Sequence, residues 1–233
     1  MREIVLDTET TGLDPEAHRI VEIGCVELEN GQPSGRVFQR YLNPERDVPP
    51  ESFRVHGLSE AFLSDKPVFG DIVEELLAFL GDARLVIHNA EFDVGFLNAE
   101  LRRLGRAEIA SECEDTVALA RREMPKRGYH GPFGLDALCR RLGIAESDRG
   151  RHSAMEDARL LAQVYARLLG QGEQQGFGME ARVLAPGAAR PPVDLPSRPA
   201  ALAPLLSAEE AAAHKEFVAS LGGEGVSPVW DDL

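Results

Sequence analysis

The chain reads as an α/β protein on a mixed sheet, and three observations point there. Strand-like and helix-like segments alternate up to about residue 170. Two strand-like runs flank Asn30-Gly31, a pair that tolerates the positive φ of a tight hairpin, so the sheet begins antiparallel. A short apolar run at 85–87 passes directly into a helical pattern, as a parallel strand does when it returns through a crossover.

The elements follow in order. Ile4-Val5-Leu6 is an apolar strand that ends in Asp7-Thr8-Glu9-Thr10-Thr11-Gly12, and runs 19–28 and 35–42 form the rest of a three-strand meander. Ile72, Val73, Leu76, Leu77 and Leu80 recur at helical spacing. The strand Leu85-Val86-Ile87 carries His88 and Asn89 at its end. In the helix that follows, Phe92, Phe96, Leu97, Leu101 and Leu104 face a core and Asp93 falls in the first turn. Further helices are expected over 116–124, 135–142 and 153–169. From Gly170 onward Gly, Gln, Ala and Pro take over, as in a linker. The expected organisation is a folded domain at 1–169, a flexible linker at 170–206 and a C-terminal segment at 207–233.

With 233 residues and 43% hydrophobic content, the chain has an ordinary soluble composition. No run approaches the roughly 20 apolar residues of a membrane span, and the first ten residues are too charged for a signal peptide. A cytoplasmic protein without membrane partners is expected. Cys25, Cys113 and Cys139 are scattered and lack CxxC spacing, so they read as small buried hydrophobes rather than as disulfides or a zinc site. The net charge of −14 opposes tight unaided binding to nucleic acid. A nuclease could carry it if metal ions neutralised its acids and a partner delivered the substrate.

Three short motifs carry the chemistry. Asp7 and Glu9, two apart on a strand, project from one face and would repel unless a cation lay between them, although acids at strand ends are common without one. Asp93 could simply complement a helix dipole, yet Phe92 and Phe96 place it beside an apolar face where an unbound carboxylate is costly. In Arg151-His152-Ser153-Ala154-Met155-Glu156-Asp157, Ser153 and Glu156 form a capping-box pattern, with His152 outside the helix and Asp157 within it. Five helical residues would separate those two by about 140° of rotation, so His152 must reach from a loop. Asp157 then suits a metal ligand, and His152 suits a base beside an attacking water. A lone histidine in such a loop is otherwise an ordinary solvated residue.

In order and spacing, Asp-x-Glu-Thr-Thr-Gly, His-Asn-Ala-x-Phe-Asp-x-x-Phe-Leu from His88, and His-x-x-x-x-Asp from His152 resemble the three motifs of the histidine branch of the DEDD exonuclease superfamily. The resemblance covers about residues 2–169. Within that branch the epsilon proofreading subunits of bacterial DNA polymerase III are most similar, because 50–58 and Leu135-Asp136-Ala137-Leu138-Cys139 also resemble them. The resemblance implies an RNase H-like fold and 3′ to 5′ hydrolysis of single-stranded DNA ends. It implies Asp7, Glu9, Asp93 and Asp157 as ligands of two divalent ions, His152 as general base, and Glu51 and His56 against the terminal nucleotide. The residue types suit this chemistry independently. Carboxylate oxygens favour Mg²⁺ or Mn²⁺, and histidines in general titrate near neutral pH. Thr11 and Gly12 are expected to let backbone amides approach the nucleotide, and Phe92 to line the base pocket. Asp7, Glu9 and Asp157 are also expected to bind the substrate.

The tail holds a second set of expectations. The segment 174–179 sits where this family carries a peptide for the sliding clamp, with altered spacing, and it also reads as plain linker. Ser207-Ala208-Glu209-Glu210 can cap a helix whose His214, Phe217, Val218 and Leu221 share a face, and Trp230 follows. This stretch resembles the segment with which epsilon subunits bind the polymerase alpha subunit, so Phe217, Leu221 and Trp230 are the expected anchors. Two alternatives stay open: an RNA-trimming exonuclease of the same superfamily, and a catalytically silent scaffold acting through its tail.

Overall fold

The computed structural model describes residues 1–144 and 151–170, together with Ala212, which is helical. Apart from Ala212, these residues belong to the first of two units of the chain, Met1–Ala181. Within that unit the last described helix ends at Leu168.

Five strands form one sheet: β1 (Arg2–Thr10), β2 (Ile20–Glu29), β3 (Gln32–Tyr41), β4 (Arg84–Ile87) and β5 (Cys113–Asp115). Their spatial order is β3-β2-β1-β4-β5. The meander pairs antiparallel, whereas β4 runs parallel to both β1 and β5. Asn30 and Gly31 adopt φ of 52° and 78°, and this tight reversal lets β3 begin at Gln32, three residues before the run read from its apolar pattern.

Helices cover both faces because strand periodicity sends alternate side chains to opposite sides. Ile4, Leu6, Leu85 and Ile87 pack with α3 (Phe69–Leu80) and α4 (Ala90–Arg103). Val5, Val26 and Val86 pack with α5 (Thr116–Glu123), α6 (Leu135–Leu142) and α7 (Ala154–Leu168). Two short helices, numbered α1 (Pro50–His56) and α2 (Glu60–Leu63) by their place in the chain, were not legible as periodic runs, and neither was the three-residue β5.

Two expectations need correction. Cys25 and Cys139 are buried, but Cys113 lies exposed on the edge strand β5. Ser153 is the N-cap of α7, yet its side chain makes no capping bond, because its hydroxyl is drawn to β2 instead. Among the described residues, no helix is long and apolar enough to cross a membrane. Residues 174–179, His214, Phe217, Leu221 and Trp230 lie outside the described residues.

Candidate active site

The site forms along the last residues of β1, beyond the point where β4 ends opposite Leu6. Leu6 and Ile87 are register partners, so the next residues, Asp7 and His88, emerge level with each other. Asp7 and Glu9 share the parity of Val5 and face the α7 layer, while Thr8 points to the α4 layer. A register shift between Glu9 and Thr10 interrupts the pairing with β2 beside the site, as bulges near active sites do.

From the α4 layer Asp93 meets Thr8. Its Oδ1 accepts hydrogen bonds from the Thr8 amide at 2.9 Å and the Thr8 hydroxyl at 2.7 Å. Burial pushes the Asp93 carboxyl up to about 7, against the lowering effect of those two bonds. Burial first, and then the carboxylates of Asp7 and Asp93, push the Cys25 thiol up, which is the mark of acids crowding this end of the sheet.

The opposite layer is set by β2. Gly24, the register partner of Asp7, lets the start of α7 lie directly on the sheet; a Cβ there would stand 2.4 Å from the Ala154 carbonyl carbon. Glu22, the partner of Glu9, is only 1% exposed. It accepts from the Ser153 hydroxyl at 3.1 Å, the Ala154 amide at 3.1 Å and the Gln39 side chain at 2.8 Å. A buried carboxylate therefore satisfies the amide end of α7 and neutralises part of its dipole.

That anchoring brings the predicted residues together. Ligating atoms of Glu9, His152 and Asp157 lie within 4.8 Å of one another. His152 reaches from outside the helix, as its spacing required, and its Nδ1 lies 2.9 Å from Asp157 Oδ2. Asp7, His152 and Asp157 line one cavity of about 390 Å³ with His88, Asp136 and Arg140. Asp93 is outside the three-residue cluster, approaching β1 from the other layer.

The remaining predicted residues are placed as follows. Glu51 is exposed on α1, 3.4 Å from an Arg54 guanidinium nitrogen. His56 is buried at the end of α1, where its Nδ1 accepts from the Leu58 amide at 3.0 Å and burial lowers its pKa. Phe92 is half-buried, its ring 5.0 Å from that of Phe96. Thr11 differs from expectation: its amide is donated to the Arg19 carbonyl at 2.9 Å and its hydroxyl accepts from the Arg19 amide at 3.1 Å, so the Thr11 amide is committed within the fold. Gly12 lies directly against the His18 ring, where a Cβ would come within 2.3 Å.

Glu22 was not singled out from sequence, and His88 was named in a motif without a role of its own. Glu22 carried only a weak signal, being one of three glutamates, with Glu27 and Glu29, in a mainly apolar strand. His88 holds Thr116 through Nδ1 at 2.9 Å, and burial lowers its pKa, with the Asp115 charge opposing.

A family model described as Exonuclease matches residues 4–165. DNA polymerase III subunit epsilon of Rickettsia felis is 46% identical over 227 residues, spanning 95% of this chain and 97% of that protein. The subunit of the same name from Escherichia coli K12 is 42% identical over 188 residues, 77% of this chain and 76% of that one. Among solved structures, exonuclease X in complex with 5′-overhanging duplex DNA superposes with a TM-score of 0.58 at 25% identity, covering 74% of this chain and 94% of that one. The nuclease domain of 3′hExo, a DEDDh family member bound to rAMP, has the same fold, with a TM-score of 0.63 at 18% identity over 73% of this chain and 92% of that one. From these matches together with the site at the end of β1, the chain belongs to the exonuclease family, within the group of DNA polymerase III epsilon subunits.

Proposed function

We propose that the chain is the proofreading subunit of a replicative DNA polymerase, a 3′ to 5′ exonuclease that removes mispaired terminal nucleotides from single-stranded DNA ends. The observation that carries this reading is the gathering of Glu9, His152 and Asp157 within 4.8 Å at the end of β1. The carboxylate oxygens of Glu9 and Asp157 fit a hard divalent cation, and His152 stands beside them as the base rather than as a ligand. Asp93 fits as well, since a cation would offset the burial that pushes its carboxyl up to about 7. Asp7, Glu9, Asp93 and Asp157 would hold two Mg²⁺ or Mn²⁺ ions, which when bound supply Lewis acidity and charge neutralisation at the reacting phosphate.

The chain's own residues do the rest. An ionised carboxylate only accepts, so the contact with Asp157 assigns the hydrogen to His152 Nδ1 and leaves the Nε2 lone pair to take the proton of an attacking water. The water oxygen bonds to phosphorus, the bond to the 3′ oxygen of the preceding nucleotide breaks, and a 5′-mononucleotide leaves. Glu51 and His56 on α1, with Gly12 and Phe92, are the residues assigned to the terminal nucleotide.

The −14 charge gives the chain little grip on DNA by itself. In this reading the segment 207–233 binds the polymerase alpha subunit through Phe217, Leu221 and Trp230, the stretch 170–206 serves as a tether, and 174–179 engages the sliding clamp. Tethering supplies a high local concentration at the primer end.

Digestion of matched 3′-labelled single-stranded DNA and RNA, with Mg²⁺ and with EDTA, tests the reading. DNA should shorten from its 3′ end, release 5′-mononucleotides and stop on chelation. Equal or faster turnover of RNA would favour the RNA-trimming alternative, and no turnover of either would favour the scaffold.

A further inference from the structure

The residues that lead into α7 are held by different elements. Ser153 and Ala154 are bonded to Glu22 on β2. The His152 amide donates to the Val55 carbonyl of α1 at 2.9 Å. The Arg151 guanidinium carbon lies 5.5 Å from the centre of the Phe53 ring, also on α1. Between these contacts the Arg151 stem crosses Gly57, the residue that ends α1, where a Cβ would stand 2.3 Å from Arg151 Cδ. Gly57 has a φ of 71°, so the helix end favours glycine, and the missing side chain leaves room for the crossing arginine.

The His152 side chain is 48% exposed, and its ring makes one described side-chain bond, to Asp157. An exposed imidazole on a loop would sample several rotamers, and a base displaced by about 1 Å can lose on the order of a hundredfold in rate. Its backbone must therefore be fixed from outside α7. The contacts with Phe53 and Gly57 lie one residue before it, on the helix that carries Glu51 and His56.

We propose that Arg151 is a positioning residue for His152, fixing the base against α1 by stacking on Phe53 and lying across Gly57. The proposal rests on the reading of His152 as general base. It joins the seat of that base to the helix assigned to the terminal nucleotide, so the two are held in one register.

The test uses the full-length chain with Arg151→Ala, Arg151→Lys, Phe53→Leu, His152→Gln and the Arg151→Ala/His152→Gln double variant. The readouts are kcat and KM on 3′-labelled single-stranded DNA in saturating Mn²⁺, Mn²⁺ affinity by calorimetry, and amide exchange at His152 in the metal-free protein. Arg151→Ala should lower kcat by about tenfold, with KM and Mn²⁺ affinity within about twofold, and should speed His152 amide exchange. Arg151→Lys keeps a cation for the ring and should recover most of the rate. Phe53→Leu, at a position 37% exposed, should fold and show a similar kcat loss. In the His152→Gln background, Arg151→Ala should add no further loss. Unchanged kcat in both Arg151→Ala and Phe53→Leu, a rise in KM in place of the kcat loss, or a full additional loss without His152 would overturn the proposal. Full activity of His152→Gln alone would instead remove the general-base reading.

Discussion

Replacing Asp93 with asparagine isolates the cost of a buried acid. The Asp93 carboxyl sits at about 7 against an ordinary 3.8, raised by burial and only partly pulled back by Thr8. A carboxyl whose pKa is raised on folding leaves stability intact below its unfolded value and removes it as pH climbs through the folded value. For the metal-free protein, stability should therefore fall between about pH 4 and pH 7 and stay low above it. At about 1.4 kcal/mol per pH unit across roughly three units, the ionised carboxylate costs about 4 kcal/mol at pH 8. Asparagine keeps an oxygen for both Thr8 donors and cannot ionise. Thermal melts in EDTA should then place Asp93→Asn about 10 °C above the parent at pH 8, at roughly 2 to 4 °C per kcal/mol for a domain of this size. The gap should shrink to about half at pH 5.5, where the parent carboxyl is mostly protonated. Saturating Mn²⁺ should raise the parent's melting temperature far more than the variant's. A gap that does not change with pH, or a variant less stable than the parent at pH 8, would refute this account of Asp93.

Other outcomes follow from the same geometry. Glu22→Ala strips the acceptor from Ser153, Ala154 and Gln39 and should cost roughly 2 to 4 kcal/mol in urea melts, with Glu22→Gln recovering part of it. Gly24→Ala puts a Cβ into the backbone of Ala154, so it should lower both the melting temperature and the exonuclease rate. Asp7→Ala and Asp157→Ala should abolish cleavage while the fold persists, whereas His152→Ala should slow turnover with Mn²⁺ binding retained, as calorimetry and rate assays would show. Residues 1–169 should remain an active nuclease but fail to capture the polymerase catalytic subunit in a pull-down, and Trp230→Ala in the full chain should weaken that capture; equal capture by 1–169 would sink the tether.

The sequence by itself determined the class of sheet and the spacing of the candidate acids. Periodicity of two carries Asp7 and Glu9 to one face whatever surrounds them, and Asn30-Gly31 dictates a hairpin through its own φ angles. Helix α6 was legible to the residue, because its apolar spacing is local. Other features depend on partners far along the chain, and local patterns do not encode those. Ser153 has the composition of a self-capping residue, yet a carboxylate 131 residues away competes for it and wins, since Glu22 is buried and must be satisfied. Thr11 has an amide suited to a nucleotide, but folding commits it to Arg19. The short α1 lacks enough turns to show a period, and its place beside His152 exists only in the fold, where the His152 amide meets the Val55 carbonyl. Residue types and spacing thus named the chemistry, while the approach of α7 to β2 and of the His152 loop to α1 decided where each group stands. Those approaches are tertiary because each bond or close contact joins residues that the chain alone keeps apart.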